Sequence, residues 1–306
     1  MSLYIGNKKY APIIRQGVNN QDKTITENGV YTADEGYTGL GEVTVDVPQG
    51  EATRFGVNFD DLLGVINSDG KLEKSTQPIS LNFEGVRDIG RNACTRMFYE
   101  SSGVTSASFP SLTTISGDNA CTRMFYTCKN LTSVSFPSLT TTSGGSACSS
   151  MFSYCKNLTS ASFPSLTTIS GDNACSYMFN GCTNLTSVSF PSLTTISKTY
   201  ACQEMFQGCI GLSSVDLSSL TTISGGMGCV AMFHGCKSLT SISFPKLNTN
   251  SFGTLYKNQF QNMVVGVTGC TLHFPSNLQS TISTLTGYPN FDGTNTVLAF
   301  DLPATS

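Results

Sequence analysis

The sequence predicts an α/β repeat solenoid, a coil with a parallel sheet on one side and short outer helices on the other. Three observations predict it. The string ACTRMFYTCKNLTSVSFPSL, residues 120–139, returns nearly unchanged every 27 residues between Cys94 and Leu247. Within each unit a short stretch alternates hydroxyl and apolar residues, as in Ser133-Val134-Ser135-Phe136, and ends at Pro137, which has no N–H to offer further pairing. A second stretch sets Cys121, Met124, Phe125 and Cys128 at i, i+3, i+4 and i+7, the apolar stripe of a two-turn helix, with Asp118 or Asn119 placed to cap it.

A single unit cannot bury these side chains alone, so the units must stack and bring equivalent residues into columns. Leu131, Leu158, Leu185, Leu212 and Leu239 form one expected interior column, and Phe109, Phe136, Phe163, Phe190 and Phe244 another. The strands then build a continuous parallel sheet with the usual spacing of ~4.8 Å.

In chain order, residues 1–50 read as a small β unit. Residues 24–26 and 30–32 flank Glu27-Asn28-Gly29, a hairpin signal, and Val43, Val45 and Val47 alternate on one face of a further strand. Residues 51–78 read as a linker and N-terminal cap with a short hairpin around Ser68-Asp69-Gly70. The repeats occupy 79–275, beginning before the cysteines do, because Phe83, Val86 and Ile89 match Phe109, Leu112 and Ile115 after a one-residue offset. The sixth strand departs, with Asp216, Leu217 and Ser218 in place of Ser, Phe and Pro. After Leu247 the unit lengthens, and Gln259-Phe260 take the expected Met-Phe places, with Tyr256 and Met263 in those of the cysteines. Residues 276–306 form a C-terminal cap, with a last strand expected around Val297 to Phe300.

Composition narrows the function. Among 306 residues only 12% are charged and the net charge is -3, which leaves no basic surface for nucleic acid. No apolar run approaches the ~20 residues of a membrane helix, and the opening MSLYIGNKKYAPIIRQG shows no signal-peptide core, so neither membrane insertion nor a visible export signal is expected.

Eleven of the twelve cysteines fall in two ladders of period 27, Cys94 to Cys229 and Cys128 to Cys236, with Ser101 opening the second and Cys270 outside both. Partners within one helix would lie ~10 Å apart and those on neighbouring helices ~8 to 10 Å, beyond disulfide reach. The ladders are therefore read as reduced, buried fillers. Zinc is not expected, since C-x₆-C recurs without a histidine ladder. Nor is a catalytic site or cofactor: His234 and His273 fall on different sides of the coil, and Asp216 is the sole acid in its strand-face ladder. The Asn-Leu-Thr strings at Asn130, Asn157 and Asn184 follow from the repeat and are not expected to be modified.

What remains for binding is the sheet face. Ser133, Ser160, Ser187, Ser214 and Ser241 form one outward ladder, and Ser135, Ser162, Ser189, Asp216 and Ser243 a second. Such a face can hydrogen-bond an extended glycan or peptide, although it lacks the tryptophan, tyrosine and arginine anchors of common protein hot spots.

The run LTSVSFPSLTTIS followed by MFxxC resembles the BspA-like, or Treponema-type, leucine-rich repeat over roughly 79–290, with an added cysteine and an insertion such as GDNA. The resemblance implies a leucine-rich-repeat coil and a non-enzymatic binding or adhesion protein that meets protein or glycan partners outside the cell. The segment KTITENGVYTADEGYTGLGEVTVDVP resembles one recurrent in virion-associated and surface proteins of phages and gut Firmicutes. That second likeness implies an alternative, a prophage or virion-associated structural or receptor-binding component.

Overall fold

Coils of equal length that stack in register place identical residues on one another, and the computed structural model shows this throughout the repeats. It describes side chains for Leu81, Phe83 and residues 86–252, 258–288 and 291–305, and backbone alone for short strands between Leu3 and Asn82. The first sheet is wholly parallel and runs through eight strands. These are Lys23–Ile25, Glu42–Val45, Ile79–Asn82, Val104–Ser108, Ser133–Ser135, Ser160–Ser162, Ser187–Ser189 and Ser214–Asp216. Pairing is without offset from coil to coil: Ser133 faces Ser160, which faces Ser187, which faces Ser214. A second parallel sheet of five two-residue strands, Thr114–Ile115 to Thr222–Ile223, lines the next side of each coil.

Between these sheets the core is a set of columns. Phe83, Phe109, Phe136, Phe163 and Phe190 stack behind the first sheet with ring centroids 4.3–5.2 Å apart. The column is interrupted at Leu217, which is buried in the phenylalanine place. The sheet breaks at the same coil: Ser214–Asp216 ends the first sheet, and Ser241–Ser243 opens a separate three-stranded one with Thr271–Pro275 and Val297–Leu302. Asp216 turns its carboxylate to the Ser218 N–H, 3.0 Å away, a local bond that the serine of other coils does not make.

The outer side corrects the expectation of short helices. The segment around Cys121–Cys128 is a chain of consecutive turns in which every fourth residue is left-handed. Asn119, Arg123 and Thr127, like Asn173, Tyr177 and Gly181 two coils on, have φ between 54° and 70°. Alternate N–H groups reach back three residues, Met124 to Cys121 and Cys128 to Phe125, both at 3.0 Å. Those between cross to the next coil, Cys121 to Ala147 at 2.7 Å and Phe125 to Met151 at 2.9 Å.

The physical reason is the step. An α-helix is ~10 Å across and cannot repeat at the ~4.8 Å spacing of parallel strands without splaying the outer side. The turn chain bonds axially instead and keeps pace with the sheet. Phe98, Phe125, Phe152, Phe179, Phe206 and Phe233 accordingly stack at 5.2–5.5 Å, close to the spacing of the sheet-side column. Asp118 does not cap a helix but accepts the Gly145 N–H of the following coil at 2.8 Å. At the corner leading into this side the backbones nearly touch: a Cβ on Gly144 would lie 2.1 Å from the Gly117 carbonyl oxygen. Among the described residues the helices are two short turns near the C-terminus, Ser276–Leu278 and Gln279–Ile282.

Two local expectations change as well. The strands on either side of Asn28-Gly29 do not pair as a hairpin. Lys23–Ile25 joins the first sheet, while Gly29–Ala33 pairs parallel with Ile14–Val18 and Val57–Asn58. Around residues 67–71, by contrast, Gly64–Ile66 and Leu72–Lys74 pair antiparallel as the sequence suggests. In the long last coil the Met-Phe places belong to Met263 and Val264 rather than Gln259 and Phe260. Phe233 N–H bonds Met263 O, where Phe206 N–H bonds Met232 O, and the left-handed sites Ala231 and Gly235 recur at Asn262 and Gly266. Phe260 and Val267 therefore fill the places of Cys229 and Cys236, rather than Tyr256 and Met263, the former lying outside the described residues.

Candidate functional site

The two serine ladders project outward from the first sheet because the residues between them, Val134, Ala161, Val188 and Ile242, alternate inward and are buried. Ser133, Ser135, Ser160, Ser162, Ser187, Ser214, Ser241 and Ser243 are exposed, and Ser189 and Asp216 are half-buried. None of the nine serine hydroxyls forms a hydrogen bond with another described group. The neighbouring threonine ladder behaves differently. Thr132 Oγ1 donates to Thr105 O at 3.1 Å, and Thr186 Oγ1 to Thr159 O at 3.1 Å, so these hydroxyls are spent on the coil contact. The sheet seam separates Ser241 and Ser243 from the rest, so the predicted face is one continuous array only as far as Asp216.

The cysteines are all buried and unbridged. Their spacing differs from the helix-based expectation, because neighbouring coils follow the strand step. Neighbouring thiols of the first ladder come close enough to act on one another, Cys94 on Cys121 and Cys175 on Cys148. In the second ladder each thiol donates to a backbone carbonyl of the preceding coil, Cys128 to Phe98 O, Cys155 to Phe125 O and Cys182 to Phe152 O, all at 3.0 Å. Burial pushes the thiols of Cys121, Cys155, Cys182 and Cys202 up, and those of Cys209 and Cys229 to about 12. They are protonated packing groups at neutral pH, the reverse of an activated nucleophile. Among the described residues no three His, Cys, Asp or Glu side chains converge as a metal site would require.

One acid–base pair escaped the sequence reading. His273 Nδ1 lies 2.8 Å from Asp301 Oδ2, and Ser243 is the register partner of His273 on the adjacent strand. The Ser243 hydroxyl is not hydrogen-bonded to the imidazole, so the three residues do not form a nucleophile–base relay. The pair is not visible in the repeat because it joins residues 28 apart, from the last repeat strand to the C-terminal strand Val297–Leu302, where the 27-residue pattern has ended. A second group stands on the turn side, with arginines just before the Met of MFxxC and tyrosines at its variable places. Its signal in the sequence was variation between copies rather than repetition. No described helix is long and apolar enough to cross a membrane.

With this geometry in hand, comparison with known proteins is informative about the family. No curated protein sequence matches the chain. Solved structures that resemble it include a T. pallidum leucine rich repeat protein, 21% identical over 77% of this chain and 96% of the other, with a TM-score of 0.44. A leucine rich cell surface protein of Faecalibacterium prausnitzii is 16% identical, covering 97% of this chain and 94% of its own, with a TM-score of 0.27. A leucine-rich repeat protein of Eubacterium ventriosum is 19% identical over 74% of this chain and 61% of its own, also at 0.27. The likeness of the N-terminal segment to virion-associated proteins finds no support in these comparisons. The profile of the BspA type leucine rich repeat region matches residues 74–200 and 146–283 in six copies, which is more than half of the chain. Together with the stacked coils, that match makes this chain a member of the BspA type leucine rich repeat family.

Proposed function

We propose that this chain is a non-enzymatic binding or adhesion protein that works at a bacterial surface and displays its solenoid to protein or glycan partners. Family membership supports a binding role, and the observation that carries the reading is the unspent hydroxyl array. A ligand lying along the solenoid axis meets the same pair of hydroxyls at every coil from Ser133 and Ser135 to Ser187 and Ser189, already fixed in direction by the sheet. Such a face suits an extended, repetitive ligand. Asp216 and the sheet seam end that uniform run. In this reading residues 1–50 and 51–78 carry and cap the repeats, 79–275 form the display surface, and 276–306 close it.

The test is an array of extended glycans and peptides probed with the full chain and with a variant carrying Ser160→Ala, Ser162→Ala, Ser187→Ala and Ser189→Ala. Retention by the wild type, reduced at least ten-fold in the variant, is the expected result. Equal binding by both removes this face as the site. Antibody labelling of intact producing cells should find the chain at the surface.

A further inference from the structure

Structural positions in a repeat protein recur because every coil meets the same neighbours, whereas a partner without a 27-residue period demands side chains that differ from coil to coil. On the sheet face the outward positions barely vary. On the turn side the inward Cys, Met, Phe and Cys recur, but the places before Met and after Phe do not: Arg96 and Arg123 are exposed, whereas Ser153, Asn180 and Ala231 are buried. The place of Arg123 is filled along the stack by Arg, Arg, Ser, Tyr, Glu and Ala, from Arg96 to Ala231, and that of Tyr126 by Tyr, Tyr, Ser, Asn, Gln and His, from Tyr99 to His234.

The first coils of that side carry a preorganised cluster. The Tyr99 and Tyr126 rings stack 5.1 Å apart at 2°. The Arg96 and Arg123 guanidinium groups lie over those rings at 5.7 and 5.8 Å. Tyr154, 41% exposed, extends the row edge-on to Tyr126 at 5.5 Å. Both arginines are exposed, and neither is ion-paired with a described carboxylate. The carboxylate beside the cluster, Glu100, is engaged by Tyr99, and those of Asp88 and Asp118 by Ser116 and by the Gly145 N–H.

We propose that Arg96, Tyr99, Arg123, Tyr126 and Tyr154 form a second, specificity-bearing surface on the turn side, which docks an acidic protein surface. Tyrosine and arginine are the residues that dominate protein hot spots, and here the stacking has already restricted their rotamers. Two guanidinium forks one coil step apart fit two carboxylates of a partner. A sugar is the poorer fit, because the tyrosine faces on which a ring would stack are occupied by one another and by the guanidinium groups. This surface does not depend on the serine ladders, so either can fail without the other.

The experiment uses the full chain against two probe sets, synthetic peptides bearing paired Asp or Glu residues with their Asn and Gln counterparts, and an array of carboxylated and sulfated glycans. The wild type should retain acidic peptides at least ten-fold better than their amide counterparts. The double variant Arg96→Gln with Arg123→Gln should lose that preference while keeping the wild-type melting temperature, and Lys237→Gln, away from the cluster, should keep it. The pair Arg96→Lys with Arg123→Lys, which preserves charge but not the fork, should also weaken retention at least three-fold. Undiminished binding by the glutamine variant, no preference for acidic over amide peptides, or retention of glycans alone would each overturn the proposal.

Discussion

The two sides of each coil solve one problem in different ways. On the sheet side the chain is extended, every residue keeps negative φ, and strand ladders hold neighbouring coils together. On the turn side only alternate N–H groups cross between coils, and a left-handed residue is needed at every fourth position. The sheet side can therefore repeat serine indefinitely at little conformational cost. The turn side carries strain wherever the left-handed residue is not glycine, as at Thr127, whose β-branched side chain is poorly suited to φ 59°. Yet this more strained side holds both cysteine ladders and all the side-chain variety. The uniform side supplies the frame, and the constrained side supplies the differences.

The largest expected effect separates the two sides by pH. The thiols of Cys121, Cys155, Cys182 and Cys202 are held above the ordinary value near 9 mainly by burial, and those of Cys209 and Cys229 are pushed up to about 12. Below pH 9 both folded and unfolded chains keep these protons, and stability is constant. From pH 9 to about 12 the unfolded chain releases protons that the native chain retains, so stability falls by about 1.4 kcal/mol per pH unit for each such thiol. Urea melts at pH 8, 9, 10 and 11 should show this fall, and Cys155→Ala with Cys182→Ala should make it shallower by the share of those two thiols. A flat profile to pH 11 would mean that the thiols are not buried as described.

Next in size, the two phenylalanine columns can be compared directly. Phe152→Ala on the turn side and Phe163→Ala on the sheet side each remove a fully buried, stacked ring, and each should cost about 3–5 kcal/mol. If denaturant titration finds Phe152→Ala at less than half the cost of Phe163→Ala, the turn side packs more loosely than the matched ring spacing implies. Gly144→Ala should cost about 3 kcal/mol, since the added methyl group meets the Gly117 carbonyl oxygen at 2.1 Å. Gly145→Ala, where the nearest atom is a movable Asp118 carboxylate oxygen at 3.2 Å, is its control and should be much milder.

The smallest effect isolates the backbone strain itself. Gly208 has φ 70° and open space around a would-be Cβ, with the nearest atom at 3.9 Å, so Gly208→Ala should cost about 1 kcal/mol from conformation alone. Thr127→Gly should shift stability the other way by a similar or smaller amount. Thermal melts of both variants check the pair, and a destabilised Thr127→Gly would show that its side-chain contacts outweigh the strain.

How much of this was legible differs between the sides. The inward positions, the period and the parallel register followed from Cys121, Met124, Phe125, Leu131 and Phe136 and their copies, because burial in a stack requires sameness. The turn chain reads as a helix in the sequence because Cys121, Met124, Phe125 and Cys128 fit a period of 3.6 or of 4 equally well over two turns. The Asn or Gly at Asn119, Asn173, Gly181, Gly208 and Gly235 is the available hint, since these residues tolerate positive φ and Asn173 and Gly181 stand eight apart in one coil. The serine face was read from alternation alone. The Tyr99–Tyr126 stack and the His273–Asp301 pair were not, because each joins residues about one coil apart in sequence.

By itself, then, the sequence determined that this chain is a stack of 27-residue coils, which residues face inward and where the repeat falters. The tertiary structure decided the conformation of the outer side, the contact between neighbouring thiols and the meeting of arginine with tyrosine. The reason is the coil-to-coil step. Strand pairing imposes ~4.8 Å on the whole coil, and no local pattern of apolar residues records the distance to a neighbour some 27 positions away.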